Sequence, residues 1–306
     1  MKENKKIPLE ELPAEDVLAL MDTADARALD EVNKARRKIA AAAKAAARAI
    51  GGGGRLIYVG AGTSGRLGVL DASECPPTFS ANPRQVVGII AGGRKALTSA
   101  VEGAEDDRDA GREAIAKIKA GPGDMVVGIT ASGTTPFVIA ALEEANARGA
   151  DCWLFSCSGK KGAAPEGVRE ITLNTGKEVV QGSTRLAAGT ATKLVLNRIT
   201  TAAFVMLGKV YGDLMVDVMP TNAKLVKRAA GIVMSVSGCS EAEALKALEE
   251  SGWKTKTAAL MAARGVGRAE AERLLKESGG FLRKAIDSKS PLSFGKKKAG
   301  PKKTNT

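Results

Sequence analysis

Short apolar runs alternate with longer amphipathic stretches over the first two thirds of the chain. The runs lie at 56–59, 86–90, 125–129, 152–155 and, more weakly, 168–173, and each ends at or near a glycine or serine. Most are separated by segments of helical character, such as 107–120 and 136–148. Strands that are apolar on both faces and alternate with helices are typical of a parallel sheet covered by helices on both sides. The pattern therefore predicts an α/β fold with a doubly wound parallel sheet.

The remaining segments are predicted to be helical. Apolar residues recur at steps of three and four from 30 to 50, which predicts one long amphipathic helix ending at the glycines 51–54. A second long helix is expected at 189–208. Short helices with caps and glycine stops follow, at 240–250, 255–263, 268–276 and 280–286. The predicted organisation is a helical segment at 1–50, a sheet domain at 51–224, a small helical bundle at 225–287 and a disordered basic tail at 288–306.

Composition narrows the chemistry. The chain has 306 residues, a length that fits about two domains, and it contains no histidine. Ser-His-Asp triads, Cys-His dyads and imidazole proton shuttles are thereby excluded. Any acid-base chemistry must use carboxylates, lysines, tyrosines or cysteines. The four cysteines form no CxxC pair, so we expect no disulfide, no metal and no other cofactor.

Charge and hydropathy bear on partners and location. The net charge is +12, but six lysines and no acidic residue lie in 289–306, so half of the excess belongs to the tail. Six Phe, two Tyr and two Trp provide little base-stacking surface, and we expect no nucleic-acid partner. No uncharged stretch reaches the ~20 residues of a membrane span, and the N-terminus lacks an apolar signal core. We therefore expect a cytoplasmic protein without a membrane partner.

Three glycine- and hydroxyl-rich turns follow predicted strands or precede predicted helices. The first, 60–65, is a GxGxxG motif, but the second strand ends in Ala-Gly-Gly-Arg and lacks the acidic residue that grips a dinucleotide ribose. What remains is an anion cradle of backbone N–H groups at a helix N-terminus. An alternative interpretation is a set of ordinary turns and N-caps. The candidate phosphate-binding residues are Gly62, Thr63, Ser64, Ser132, Gly133, Thr134, Thr135 and Ser183.

Two acidic stretches are candidates for proton transfer. Glu74 precedes Pro76-Pro77 and is expected one short helix beyond the first turn, on a fixed backbone that suits a positioned proton donor. Glu105 belongs to a second stretch, 102–107, in which Glu102 lies three residues earlier. The alternative is that these acids are solvated surface groups, with Asp106 or Asp107 capping the next helix.

Longer motifs carry a family resemblance. LIYVGAGTSGRLG at 56–68, DASECPPTF at 71–79, VEGAEDD at 101–107, GSTR at 182–185 and GTATKLVLN at 189–197 resemble N-acetylmuramic acid 6-phosphate etherases. The resemblance implies a sugar-isomerase (SIS) domain followed by a small helical, UBA-like domain, and a homodimer. It also implies a sugar-phosphate substrate whose D-lactyl ether is cleaved to give N-acetylglucosamine 6-phosphate and D-lactate. By motif, Glu74 corresponds to the proton donor and Glu105 to the second catalytic glutamate.

The chain departs from the family pattern in places. Thr134 and Phe137 stand where family members commonly have Arg and Tyr, and Leu186-Ala187 stands where Met-Lys is usual. Two alternatives stay open. A sugar-phosphate-sensing regulator related to the glucokinase regulatory protein would need only the hydroxyl turns. A sugar-phosphate isomerase is disfavoured by the missing histidine, although a glutamate also moves a C2 proton. Retention of both glutamates favours the lyase.

Overall fold

The computed structural model describes residues 7–160, 163–218, 220 and 222–288. The chain forms two compact units, Met1–Leu207 and Gly208–Thr306. The first unit contains the whole sheet, and the described part of the second is built from helices. The predicted tail, except for Ser288, lies outside the described residues.

A five-stranded parallel sheet forms the centre of the first unit. Its strands are β1 (Leu56–Gly60), β2 (Val86–Ile90), β3 (Met125–Thr130), β4 (Asp151–Ser156) and β5 (Arg169–Thr172). Their order is β2-β1-β3-β4-β5, and every pair is parallel. All residues of β1 and β3 are buried, as continuous apolar runs require. The doubly wound α/β fold predicted from the sequence is therefore confirmed.

Helices flank the sheet in the first unit and make up the second. The first has α1 (Ala14–Lys34), α2 (Arg36–Gly51), α3 (Gly62–Phe79), α4 (Arg108–Lys117), α5 (Pro136–Ala147) and α6 (Ala187–Met206). The second has α7 (Ala223–Ser237), α8 (Glu241–Glu250), α9 (Thr255–Arg264), α10 (Arg268–Glu277) and α11 (Leu282–Asp287). Helices α1, α2 and α3 all pack against α6.

Two helix predictions need correction. The single helix expected at 30–50 is two helices, which meet at Ala35 with ψ near 2°. The Ala35 N–H still bonds to Glu31 O, so the helical spacing of apolar residues continues across the break. The spacing alone therefore does not reveal that two helices are present. Helix α3 is also longer than expected, because Pro76 and Pro77 fall within its last turn, where their missing N–H groups leave the earlier turns intact. Glu74 thus lies inside the helix that begins at Gly62.

The second unit has its own apolar core. Val216 and Val218 pack into this core, although the sequence places the start of the bundle at 225. In the same unit, the buried Lys256 ammonium donates to Gly208 O at 2.9 Å, Asp217 Oδ2 at 2.7 Å and Gly280 O at 3.2 Å. Burial lowers the pKa of Lys256, and Asp217 opposes that shift. All three N–H donors are used, so this lysine joins the 208–217 segment to the end of the bundle.

The cysteines are buried or partly buried thiols. Cys75, Cys152, Cys157 and Cys239 are all unpaired with one another. Burial raises the pKa of Cys75, Cys152 and Cys157 to about 12, so these three side chains act as small apolar groups rather than nucleophiles. None of the described helices is both long and apolar enough to cross a membrane.

Candidate active site

The carboxyl ends of β1 and β3 meet where the strand order reverses direction. Gly60 of β1 is level with Ile129 of β3, so the chain leaves both strands at the same edge. Such a switch point is where open α/β sheets bind ligands. A cavity of about 380 Å³ lies there. It is lined by Ala61, Gly62, Thr63, Ser64, Glu105, Asp106, Ile129, Ala131, Ser132, Thr134, Thr135, Pro136, Gly182 and Thr184.

The turn after β1 directs the N-terminus of α3 at the cavity. A Cβ on Gly60 would lie 2.7 Å from Gly65 N, and one on Gly65 would lie 2.7 Å from Gly60 O, so only glycines allow this close approach. Ala61 caps the helix without a side-chain hydrogen bond. The first N–H groups of an α-helix have no partner within the helix, and its N-terminus carries partial positive charge. This end of α3 is therefore suited to an anion.

The turn after β3 is organised by its own hydroxyl groups. Thr130, 2% exposed, has its Oγ1 2.7 Å from Thr135 Oγ1 and 3.2 Å from Ser132 Oγ, and accepts from Gly133 N at 3.2 Å. Thr134 N and Oγ1 both donate to Ser132 Oγ at 3.2 Å. Gly133 does not line the cavity; its φ of +87° supplies the turn instead. Sequence reasoning missed Thr130, although this residue directly follows the predicted run 125–129; the structure makes it the last residue of β3.

The third hydroxyl turn contributes differently from the prediction. Gly182 and Thr184 line the cavity, whereas Ser183 does not. The N-terminus of α6, which follows, is already occupied: Glu178 accepts from Ala187 N at 3.0 Å and from Ala188 N at 2.9 Å. The Glu178 carboxylate thus neutralises the partial positive charge at the N-terminus of α6. Neither Thr184 nor Glu178 was singled out from the sequence, although Thr184 belongs to the GSTR motif.

Glu105 lies on the cavity wall. Its carbonyl accepts from Phe137 N at 3.0 Å, which ties the acidic turn to the start of α5. Asp107 caps α4 through Ala110 N at 2.8 Å, one of the two caps considered from the sequence. A second cavity of about 160 Å³ adjoins Gly62 and is lined by Glu102, Glu105 and Arg66, among others. Glu105 is thus shared by both cavities, and Glu102 borders only the smaller.

Glu74 does not join Glu105 within one chain. It is exposed and lines neither of these cavities. Twelve residues separate it from Gly62, which amounts to about 18 Å along the helix axis. The structure therefore gathers Glu105, Gly62, Thr63, Ser64, Ser132, Thr134 and Thr135 around one cavity and places Glu74 elsewhere on the surface.

A large apolar groove lies between α2 and α6. Its volume is about 670 Å³, and Ile39, Ala43, Leu194 and Val205 are among the residues that line it. Val205 is 44% exposed in the single chain. Asn197 also lines this groove, and its amide donates to Asp71 of α3 at 2.6 Å. The groove therefore adjoins the part of α3 that carries Glu74.

In the part of the chain that the structure describes, charged side chains do not form a metal site. Within the described residues, no group of three or more Cys, Asp or Glu side chains is placed to hold a metal ion. The candidate chemistry of the cavity thus rests on backbone N–H groups, hydroxyl groups and carboxylates.

Comparison with known proteins supplies a family. Residues 37–146 match the model of the glucokinase regulatory protein N-terminal SIS domain. The N-acetylmuramic acid 6-phosphate etherase of Cutibacterium acnes is 50% identical, over 91% of this chain and 92% of its own length. Those of Rhizobium rhizogenes and Klebsiella aerogenes are 48% and 46% identical, over 91% and 92% of this chain and 91% and 93% of their own lengths. The chain belongs to the N-acetylmuramic acid 6-phosphate etherase family.

Proposed function

We propose that the protein is a carbon-oxygen lyase that cleaves the D-lactyl ether of N-acetylmuramic acid 6-phosphate. The products are N-acetylglucosamine 6-phosphate and D-lactate. The observation that carries this proposal is one cavity in which an uncapped helix N-terminus, several hydroxyl groups and the Glu105 carboxylate converge. Family membership gives the substrate, because the relatives that cover most of the chain are named for this activity.

The phosphate is bound at the end of α3. The N–H groups of Gly62, Thr63 and Ser64 and the positive end of the helix attract the dianion. Hydroxyl groups of Ser132, Thr134, Thr135 and Thr184 surround the same space. In this proposal Thr184 replaces Ser183 as the phosphate-binding residue of the third turn, because Ser183 does not line the cavity. No cofactor is required at this end, because neutral donors and the helix dipole suffice.

The chemistry is an elimination followed by addition of water. In the open-chain sugar the C1 aldehyde acidifies the C2–H bond, and Glu105 removes that proton. The electron pair forms the C2–C3 double bond as the C3–O bond breaks, and Glu74 protonates the departing lactate oxygen. Water then adds to C3 while a proton returns to C2. Proton transfers of this kind suit positioned carboxylates and contribute about 10²- to 10⁴-fold each.

Glu74 reaches this reaction only from a second chain. The ether oxygen is six bonds from the phosphorus, so at bond lengths of about 1.5 Å the two atoms lie less than about 9 Å apart. The helix separates Glu74 from its own phosphate-binding end by about 18 Å. We therefore place Glu74 of one subunit in the site of its partner.

The α2/α6 groove is the surface that joins the two subunits. It is apolar, and Leu70, one helical turn before Glu74, is itself 49% exposed. A two-fold contact between these faces covers both features and carries each α3 toward the other chain. Sedimentation at micromolar concentration should give a dimer, and a monomer would contradict this assembly. The free cysteines fit a reducing compartment, which supports the cytoplasm as its location.

The experiment is release of D-lactate from N-acetylmuramic acid 6-phosphate by the purified protein, with C2–H exchange in deuterated water as a second readout. Glu74→Gln should stop release and keep exchange, because only the leaving group loses its acid. Glu105→Gln should lose both. Glu102→Gln is the matched control and should keep both, since Glu102 borders only the smaller cavity.

A regulatory function is the second candidate, favoured by the match to the glucokinase regulatory protein domain. A sensor needs the phosphate cradle and no proton transfer. Binding of the substrate without D-lactate release or C2–H exchange would support the sensor and refute the lyase. Exchange by Glu105→Gln at the wild-type rate would instead show that the base is misassigned.

A further inference from the structure

A buried polar cluster joins α3 to α6 next to the groove. Asp71 is 4% exposed, and its Oδ1 accepts from Asn197 Nδ2 at 2.6 Å and from Thr200 Oγ1 at 3.1 Å. The one hydroxyl hydrogen of Thr200 is shared between Asp71 Oδ1 and Leu196 O, which also lies 3.1 Å away, so this side chain bridges its own helix and Asp71. Near the end of α3, Phe79 also stacks on Phe204 of α6, with ring centroids 4.6 Å apart.

The second carboxylate oxygen of Asp71 shares its buried site with the hydroxyl of Tyr58, which is 0% exposed. Neither Asp71 Oδ2 nor the Tyr58 hydroxyl makes a hydrogen bond of good geometry within the described residues. Burial raises the pKa of Asp71, and the donors of Asn197, Tyr58 and Thr200 oppose the rise. A buried carboxylate with one poorly paired oxygen costs folding free energy. An apolar side chain of similar size would serve stability as well or better, so the cluster is better explained by geometry than by stability.

The geometry it controls is that of the helix carrying Glu74. Asp71 lies three residues before Glu74, so the two side chains leave α3 on neighbouring faces. We propose that Asp71 is a positioning residue, which fixes the rotation of α3 against α6 through Asn197 and Thr200 and so aims Glu74. The inference rests on the proposed lyase function. Asp71 itself lines neither of the two cavities.

Exchanging the two polar groups tests this. Asn197→Asp places two carboxyl groups where one amide donated to one carboxylate. The variant is assayed at alkaline pH, where both groups ionise and their repulsion separates the helices locally; at lower pH the pair shares a proton and keeps a hydrogen bond. We expect D-lactate release to fall about 10²-fold, the lower end of what a general acid contributes, with KM within about threefold. C2–H exchange should stay close to wild type, because Glu105 is undisturbed. The double variant Asp71→Asn/Asn197→Asp restores one amide and one carboxylate and should recover release to within about threefold.

Matched variants separate positioning from loss of fold. Asn33→Asp makes the same chemical change on α1, where Asn33 accepts from Arg198 of α6 at 3.2 Å, and should change neither rate. Thr200→Val removes one donor without changing shape. It should lower release about three- to tenfold, as expected for one hydrogen bond, while keeping exchange, and it provides the test if Asn197→Asp does not fold.

The outcomes are distinct from those of the proposed function. If wild type releases D-lactate and Glu74→Gln blocks release, the lyase stands. Full release by Asn197→Asp or Thr200→Val would then overturn the role of Asp71 alone. Equal losses of release and exchange, without recovery in the double variant, would show a merely structural cluster and overturn it too. Preserved exchange with recovered release supports the positioning role.

Discussion

The two ends of α3 differ in how complete they are within one chain. At its N-terminus, the turn after β3 is held by hydrogen bonds among its own residues, and the backbone of Glu105 is tied to the start of α5. Twelve residues further on, Glu74 is exposed beside Leu70 and an open apolar groove. The first end resembles a finished binding site, and the second resembles half of an interface.

The difference separates binding from chemistry. The cavity of a single chain brings together backbone N–H groups, hydroxyl groups and one carboxylate. In the lyase that we propose, the second proton transfer comes from Glu74 of a partner subunit. That proposal makes catalysis, but not phosphate binding, depend on the contact between subunits. The experiments below test that separation.

The largest expected effect comes from mixing inactive chains. Co-expression of Glu74→Gln and Glu105→Gln chains with different tags allows the mixed dimer to be purified. If each site takes Glu105 from one chain and Glu74 from the other, one of its two sites is intact. The mixed dimer should then release D-lactate at about half the wild-type rate, whereas either parent is reduced about 10²- to 10⁴-fold.

The reciprocal pairing is the control for that experiment. A wild-type chain paired with a Glu74→Gln/Glu105→Gln chain has no site with both glutamates when they come from different subunits. It should be as inactive as the parents. Activity of about half in this dimer, with none in the first, would place both glutamates in one chain and refute the shared site.

A smaller loss is expected when the groove itself is altered. Val205→Glu introduces a carboxylate into the groove, at a side chain that is 44% exposed, so the chain should fold normally. Burying this charge at a subunit contact is costly, and sedimentation should show a shift toward monomer. D-lactate release should fall more than about tenfold at micromolar protein. Binding of N-acetylglucosamine 6-phosphate should persist, because the cavity belongs to one chain.

The control for the groove is Met234→Glu, a change at a 36% exposed side chain of α7. It should leave sedimentation and release unchanged. Loss of binding together with release in Val205→Glu would contradict the separation between the two ends of α3.

The sequence predicts the surroundings of the N-terminus of α3 well and those of Glu74, near its other end, poorly. Apolar runs with turns locate all five strands to within two residues, since a parallel sheet requires strands that are apolar on both faces. The carboxyl edge then follows from topology, and six of the eight predicted phosphate-binding residues line one cavity. At the N-terminus of α3 the local sequence pattern and the sheet geometry indicate the same site, so the motif is enough to locate the cavity.

The rest depends on contacts that no local pattern encodes. Thr130 follows the predicted apolar run 125–129 directly, but its role depends on the hydroxyl groups that surround it in the fold. The break at Ala35 keeps the helical spacing, and Glu74, expected beyond a short helix, lies inside α3. The position of Glu74 depends on the length of that helix. Its distance from Glu105 is therefore a tertiary property.

The smallest expected effect concerns the third hydroxyl turn, where neighbours differ in place. Thr184 lines the cavity and Ser183 does not. Thr184→Ala should raise KM about two- to tenfold with kcat nearly unchanged, because one hydrogen bond contributes about 0.5–1.5 kcal/mol to binding. Ser183→Ala, the matched change one residue earlier, should raise KM less than about twofold. Steady-state kinetics on both variants decide the matter. A larger effect at Ser183 would show that this turn rearranges around the substrate, and that the cavity of one chain is less complete than its hydrogen bonds suggest.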